Sequence, residues 1–281
     1  MRVDDLLRWI KERQSIYEKK EAGEPKPWTK DKIFQRYRFC NVYREFDTVT
    51  QWININWRTP HYDEPDVWFA MVIARFVNWP ETLSALEFPI PWNAGHFVDI
   101  MERRKLMGKK VFTGAYMIHA DGKFNGSKAR YLAEKVFTPM WKERKGIRPQ
   151  EHEGLSDFYK RLRKCHDIGS FMAGQIIADT KFTRLLREAP DWYTWAVSGP
   201  GSKRGMNRLI DQDVSLPWPE PSWKMCLDEL RYSILAKLQE QRLRIPTITA
   251  QDLQNCLCEF DKYERVRLGE GRPRSLYPGS N

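Results

Sequence analysis

No stretch of the sequence approaches the ~18 consecutive apolar residues that a helical membrane span requires, so a transmembrane helix is not expected. The charged N-terminus, MRVDDLLRWIKERQ, lacks the apolar segment and small-residue cleavage site of a secretory signal, which points to a cytoplasmic protein. Both a GxxxxGKS/T loop and a GxGxxG turn are missing, so nothing signals a nucleotide site of the P-loop or dinucleotide type. The five cysteines (Cys40, Cys165, Cys226, Cys256, Cys258) are odd in number and form no CxxC pair, which argues against a disulfide framework and against zinc or iron-sulfur ligation. His61, His96, His119, His152 and His166 are scattered without HxH or HExxH spacing, leaving metal catalysis with no evident ligand set. No repeat of 20 to 50 residues is visible.

What the sequence has is charge, and more of one sign. In 281 residues there are 47 Lys and Arg against 37 Asp and Glu, a formal charge of +10. With a pI near 9.3, this balance favours a polyanionic partner such as nucleic acid. Hydrophobic residues make up 41%, enough for a substantial core. Apolar residues recur at helical spacing almost throughout and alternate rarely, so the expected class is all-α. The spacing predicts helices over 3–19, 30–57, 65–79, 94–107, 126–145, 155–164, 170–178, 191–197, 202–210, 220–243 and 249–266. The long second helix would carry Phe39, Val42, Phe46, Val49 and Ile53 on one stripe, with Arg36, Arg38, Asn41, Arg44 and Asp47 largely off it. The stretch 110–126 reads as irregular or briefly extended. One helical domain over 1–268, with two lobes and a cleft as an option, and a flexible tail over 269–281 complete the expected organisation.

Three local patterns carry chemistry. In LRKCHDIGSFMAGQIIAD, residues 162–179, one helix ends, Asp167, Ile168 and Gly169 form a turn, and Ser170 opens a second helix. The amides at such a helix start suit a phosphate oxygen. Asp191, after Pro190 and before an apolar run, fits an N-cap and also a carboxylate at a helix start. In SGPGSKRGMNRL, Ser198, Ser202, Lys203 and Arg204 crowd a Gly-rich turn before a helix, a pattern that suits a phosphate or pyrophosphate.

The hairpin resembles the helix-hairpin-helix of base-excision DNA glycosylases, with Asp167 where their turn has its first glycine. That resemblance puts Asp191 at the place of their catalytic aspartate and Phe171 at the place of the Schiff-base lysine of bifunctional members. Strand cleavage by that route is therefore not expected, and the turn could hold a structural monovalent cation. More of the chain carries a second likeness. FQRYRFCNVYREFDTVTQWI, HADGKFNGSKARYL, CHDIGSFMAGQIIADTKF, DWYTWAVSGPGSKRG and CLCEFDKYERVRLGEGRPR together resemble the phage α-glutamyl/putrescinyl thymine pyrophosphorylases, or amino acid:DNA transferases. A near relative of these is the helical domain of 5-hydroxymethyluracil DNA kinases. The resemblance implies an all-α, glycosylase-like fold acting in thymidine hypermodification in the host cytoplasm, coupled to a 5-hydroxymethyluracil DNA kinase. The transferase replaces the phosphate of 5-phosphomethyluracil in double-stranded DNA with a free amino acid, commonly glycine, and requires no cofactor.

Displacing phosphate from a 5-methylene needs a neutral amine, a base for its proton, and cations for the leaving oxyanion. Asp191, Arg38, Asn41 and Arg44 are the catalytic candidates. Arg36, Asp47, Ser198, Ser202, Lys203 and Arg204 are candidates for binding phosphate, base or amino acid, since the planar guanidinium matches either anion. Lys123, Asn125, Ser127 and Lys128, with Asp167, Ile168, Gly169 and Ser170, are candidate DNA contacts. Trp192 and Tyr193, with Trp195 as a third, could stack on an extruded base. Two other functions remain open on the same residues: a glycosylase-like hydrolase, and a non-catalytic DNA-binding module that partners the kinase.

Overall fold

The computed structural model describes residues 1–114, 124–241, 246–273 and 276–277. In chain order the helices are α1 (Val3–Glu21), α2 (Lys32–Arg36), α3 (Thr48–Ile53), α4 (Val67–Val77), α5 (Pro80–Leu86), α6 (Ala94–Leu106) and α7 (Lys128–Tyr131). They continue as α8 (Thr138–Lys142), α9 (Arg144–Ile147), α10 (Leu155–Leu162), α11 (Ser170–Thr180), α12 (Pro200–Leu209), α13 (Glu220–Glu240) and α14 (Ala250–Arg267). Among the described residues there is no β-strand, only an isolated antiparallel bridge between Tyr37 and Leu276, so the class is all-α. Among the described residues no helix is long and apolar enough to cross a membrane.

The chain forms two compact units. The first joins Met1–Asp47 to Tyr193–Asn281, and the second is Thr48–Trp192. In the first, α1 offers Leu6, Leu7, Ile10 and Ile16 to a core completed by Trp223, Leu227 and Leu230 of α13 and by Leu253, Leu257 and Phe260 of α14. Asp4 and Asp5 in the first turn of α1, with Lys19 and Lys20 in its last, complement the helix dipole. The tightest packing is between α12 and α14. A Cβ on Gly205 would stand 2.2 Å from the Leu257 carbonyl oxygen, and one on Gly201 would stand 2.7 Å from the Cys258 sulfur. Only hydrogen at both positions lets the two helices approach this closely.

The second unit is built around α4, every residue of which is buried. A helix apolar on all sides must be enclosed by others, and α11 packs on it through Met172, Ala173, Ile176 and Ile177. The one cation in α4, Arg75, binds both Asp179 carboxylate oxygens and donates to Thr50 Oγ1 (2.9 Å) and Asn78 Oδ1 (3.1 Å). Arg58 approaches the same carboxylate at 3.9 Å. Asp179 is therefore fully buried yet neutralised.

Two expectations are corrected. Residues 30–57 do not form one helix. α2 ends at Arg36, Tyr37 turns extended, a single 3-10 turn covers Arg44–Phe46, and α3 starts at Thr48. The break holds because side chains from elsewhere satisfy the extended backbone. Arg13 of α1 donates to the Phe39 and Cys40 carbonyls, Asn255 of α14 donates to the Asn41 carbonyl, and the Cys40 amide donates to Glu259. The predicted helix over 191–197 is also absent: the chain makes a turn through Thr194 and then runs irregularly to Pro200. Its carboxylate cap, Asp191, instead serves α10. Helix α5, which opens with Pro80, was not foreseen although proline at N1 is a helix-start signal.

Candidate functional site

The first unit gathers a polar cluster around the extended segment 37–43. Along it Tyr37 and Phe39 are buried while Arg38 and Cys40 face out, a short period-two pattern. Opposite it, α14 presents Asp252, Asn255, Cys256 and Glu259, spaced i, i+3, i+4 and i+7 on one helical face. These four meet the Arg44 amide (3.5 Å), the Asn41 carbonyl (3.1 Å), the Val42 carbonyl (3.7 Å) and the Cys40 amide (3.2 Å) in turn. Lys262, one turn on from Glu259, pairs with its carboxylate.

Asn41 is buried at the centre of this cluster. Its Oδ1 accepts from Arg13, its Nδ2 donates to the Phe46 carbonyl (2.7 Å), and its amide donates to Asp47 Oδ1 (3.0 Å). Desolvation pushes the Asp47 carboxyl above its ordinary range, against the pull of the Asn41 amide, Arg44 and Arg13. Burial lowers the Arg13 guanidinium pKa. Two buried guanidinium nitrogens, Arg13 Nη1 and Arg44 Nε, have no hydrogen-bond acceptor. Arg36 and Arg38 are exposed, with their guanidinium carbons 5.6 Å from the Tyr37 ring and 5.9 Å from the Tyr277 ring respectively. The structure thus joins Asn41, Arg44 and Asp47 to Arg13, Glu259 and Lys262. Sequence reading assigned no role to these last three, although Glu259 and Lys262 lie in the CLCEFDKYERVR segment it singled out.

At the start of α12 the expected anion cradle has internal partners. Ser198 donates through both its amide (3.0 Å) and its hydroxyl to the Glu220 carboxylate. Ser202 Oγ accepts from the Gly199 amide at 2.9 Å, and Lys203 Nζ donates to the Trp218 carbonyl at 3.1 Å. Arg204 pairs with the buried Asp261 at 2.9 Å, as does Arg208. The loop's glycines serve the α12–α14 contact, and its cations are largely engaged. The same unit carries a solvent-open pocket of about 290 Å3 with Trp9, Phe34 and Phe260 in its walls and Glu12, Lys30 and Asp31 among its charged lining residues.

In the second unit, α10 and α11 form a hairpin. Asp167 sits at φ +58°, the left-handed conformation that Asp tolerates better than most residues, and its carboxylate accepts from the Tyr131 hydroxyl. Ile168 is buried beneath the turn, and its carbonyl accepts from Arg163 Nη1 at 2.7 Å. Gly169 and Ser170 remain exposed at the N-terminus of α11. Among the described residues no group of three or more His, Cys, Asp or Glu could hold a metal ion. Asp191 accepts from the Leu155 amide (2.6 Å) and the Ser156 amide (3.0 Å), capping α10 from outside it. The Trp192 indole donates to the Lys181 carbonyl (2.9 Å) and packs edge-on to Phe182. In the first unit Tyr193 is exposed and Trp195 is buried.

Ser127 caps α7 by accepting from the Arg130 amide (3.2 Å). Lys128 Nζ lies 4.3 Å from the Phe112 ring, with burial lowering its pKa, and Asn125 is exposed. Lys123 lies outside the described residues.

Comparison with known proteins places the chain in a family. No solved structure matches the chain. A curated relative, the 5-hmdU DNA kinase of Bacillus phage SP10, is 24% identical over 236 residues, 71% of this chain and 35% of its own length. The chain thus spans about a third of that relative. A family model described as "5-hmdU DNA kinase, helical domain" matches residues 1–272, nearly the whole sequence, and the chain belongs to that family.

Proposed function

We propose that the chain is an amino acid:DNA transferase of phage thymidine hypermodification, on a glycosylase-like helical fold. It replaces the phosphate of 5-phosphomethyluracil in duplex DNA with an amino acid, glycine being the expected donor. A 5-hydroxymethyluracil DNA kinase would supply the phosphorylated base. The observation that carries this reading is the cluster around Asn41. Two buried guanidinium nitrogens without acceptors lie on Arg13 and Arg44, and the same segment holds an Asp47 carboxyl that desolvation keeps more basic than usual. Amine-for-phosphate exchange needs cations for a departing anion and a base of raised pKa.

In this reading the donor nitrogen attacks the 5-methylene carbon. A C–N bond forms, the C–O bond to phosphate breaks, and the electron pair leaves on the phosphate oxygen toward Arg44 and Arg38. The amine proton passes to Asp47. That assignment shifts the base from Asp191, whose two oxygens each hold a helix amide, to Asp47. Asp191 becomes a positioning residue for α10. Tyr193 is exposed and suits stacking on an extruded base, whereas the Trp192 indole is already bonded. The aromatic-floored pocket carries charges of both signs and suits a zwitterionic donor.

The test incubates the protein with DNA containing 5-phosphomethyluracil and a mixture of amino acids, then digests the DNA and identifies nucleosides by mass spectrometry. A new aminoacyl-thymidine supports transfer, and its loss in Asp47→Asn with DNA binding retained supports the assigned base. Abasic sites would replace this reading with a glycosylase. Unchanged DNA bound in a salt-dependent manner would replace it with a non-catalytic module.

A further inference from the structure

The C-terminal end of α6, in the second unit, presents two adjacent apolar side chains to solvent. Leu106 is 88% exposed and Met107 is 60% exposed. Single exposed apolar residues are ordinary, but this pair sits within the segment ERRKLMGKK, flanked by Arg103, Arg104, Lys105, Lys109 and Lys110. None of these five cations has an ion pair among the described residues, although Asp99 and Glu102 lie on the same helix. Several cations elsewhere in the unit are, by contrast, paired. Arg144 and Arg148 pair with Asp66, Lys160 with Asp157, and Arg161 with Glu153.

The tip is also rigid. Gly108, at φ +66°, donates its amide to the Lys105 carbonyl (3.0 Å), and the Lys109 amide reaches back to the Arg104 carbonyl (2.9 Å). This is the double-bonded cap with which many helices end. Arg104 Nη2 further donates to the Lys110 carbonyl at 3.0 Å, and the Lys110 ammonium lies 3.7 Å from the Trp79 ring. A projecting apolar pair is therefore held on a braced turn with positive charge on both sides.

We infer that this tip is a DNA-contacting wedge: Leu106 and Met107 enter a groove of duplex DNA and unstack a base step while Arg103, Lys105 and Lys109 hold the flanking phosphates. Charge complementarity names the occupant. A helix C-terminus carries partial negative charge and repels a phosphate placed on its axis, so phosphates are met sideways by long cationic side chains. The axis itself is left to uncharged matter, and apolar side chains inserted between base steps are an established way for proteins to bend or open a duplex. Two side chains are too small an area to anchor a membrane. The inference rests on the chain acting on DNA and adds a contact surface that the proposed chemistry does not require.

The experiment uses a duplex carrying 2-aminopurine beside a 5-phosphomethyluracil, since 2-aminopurine brightens when unstacked. Wild-type protein is expected to raise its fluorescence several-fold. The double variant Leu106→Ala, Met107→Ala should lose most of that rise while keeping the same salt dependence of binding. The double variant Lys105→Gln, Lys109→Gln should make the slope of log affinity against log salt shallower by about 1.8, two phosphates at about 0.9 each. All four positions are exposed, so melting curves matching the wild type are expected and confirm folding. An undiminished fluorescence rise in the alanine variant, or an unchanged salt slope in the glutamine variant, overturns the wedge. Aminoacyl product is measured on the same duplex. Transfer by the wild type with fluorescence indifferent to Leu106 and Met107 removes the wedge alone, and unstacking without transfer removes the transferase reading alone.

Discussion

Replacing Gly205 with alanine separates two accounts of the SGPGSKRG segment, one in which its glycines shape an anion cradle and one in which they let two helices touch. In an open helix the change would stabilise by about 1 kcal/mol through propensity alone. Here the new Cβ would stand 2.2 Å from the Leu257 carbonyl oxygen and 2.8 Å from its carbon. Both atoms belong to the backbone of α14 and cannot rotate away, so α12 and α14 must part by about 1 Å. Overpacking of this kind costs typically ~1–3 kcal/mol and sometimes more, which exceeds the propensity gain. A net loss of about 1 kcal/mol would lower Tm by roughly 2–4 °C, at about 2–4 °C per kcal/mol. Gly201→Ala meets the Cys258 thiol at 2.7 Å instead and should cost less. Combining it with Cys258→Ala should recover part of the loss, a coupling that a double-mutant cycle reads directly. Urea titration followed by circular dichroism measures wild type and all four variants. A Gly205→Ala protein as stable as wild type, with DNA affinity reduced, would refute the packing argument and restore the cradle.

Arg75→Met should be the more damaging change in the second unit. It removes the cation that binds both oxygens of the fully buried Asp179, and breaking a buried pair costs about 3–5 kcal/mol, visible as a large fall in the urea midpoint. Asp191→Ala should destabilise by about 1 kcal/mol through loss of the α10 cap, whereas Asp191→Asn, which keeps one accepting oxygen for one of the two amides, should lose only part of that and melt between Asp191→Ala and wild type. Equal melting of the two variants would contradict the capping role. Burial pushes the Cys165 thiol up to about 11 and Cys258 up to about 12. At pH 8 the thiolate fraction of Cys165 is then roughly 200-fold below that of a free cysteine, and its alkylation by iodoacetamide should be correspondingly slow and still accelerating at pH 10. Rapid labelling of Cys165 at pH 8 would show that the thiol is not desolvated.

Helices whose partners lie within their own pattern were legible in the sequence. The apolar run of α4 and the helical spacing of α12 and α14 are local, and their positions agree with expectation to within a few residues. The segment 30–57 was misread because its apolar residues fit a helical stripe equally well. What decides against the helix is distant: Arg13, Asn255 and Glu259 satisfy the backbone of residues 39–41, and no window around Asn41 contains them. For the same reason Asn41, Arg44 and Asp47 could be singled out as polar residues, while their companions on α1 and α14 could not. Asp191 reads from its neighbours as the N-cap of a helix over 191–197; that helix is absent, and the amides it caps belong to Leu155 and Ser156.

The division of the chain also sets an order of events during synthesis. The second unit is continuous, whereas the first needs both ends of the chain. When residue 192 has been made, the inserted unit can already fold, but α1 and the 37–43 segment still lack the helices that will cover them. Arg75, by joining Thr50 to Asp179, draws the beginning of the insert toward its end before α12 to α14 exist. The long loop that unit 1 would otherwise have to close is thereby shortened in advance, and its closure entropy is met by the folding of the insert.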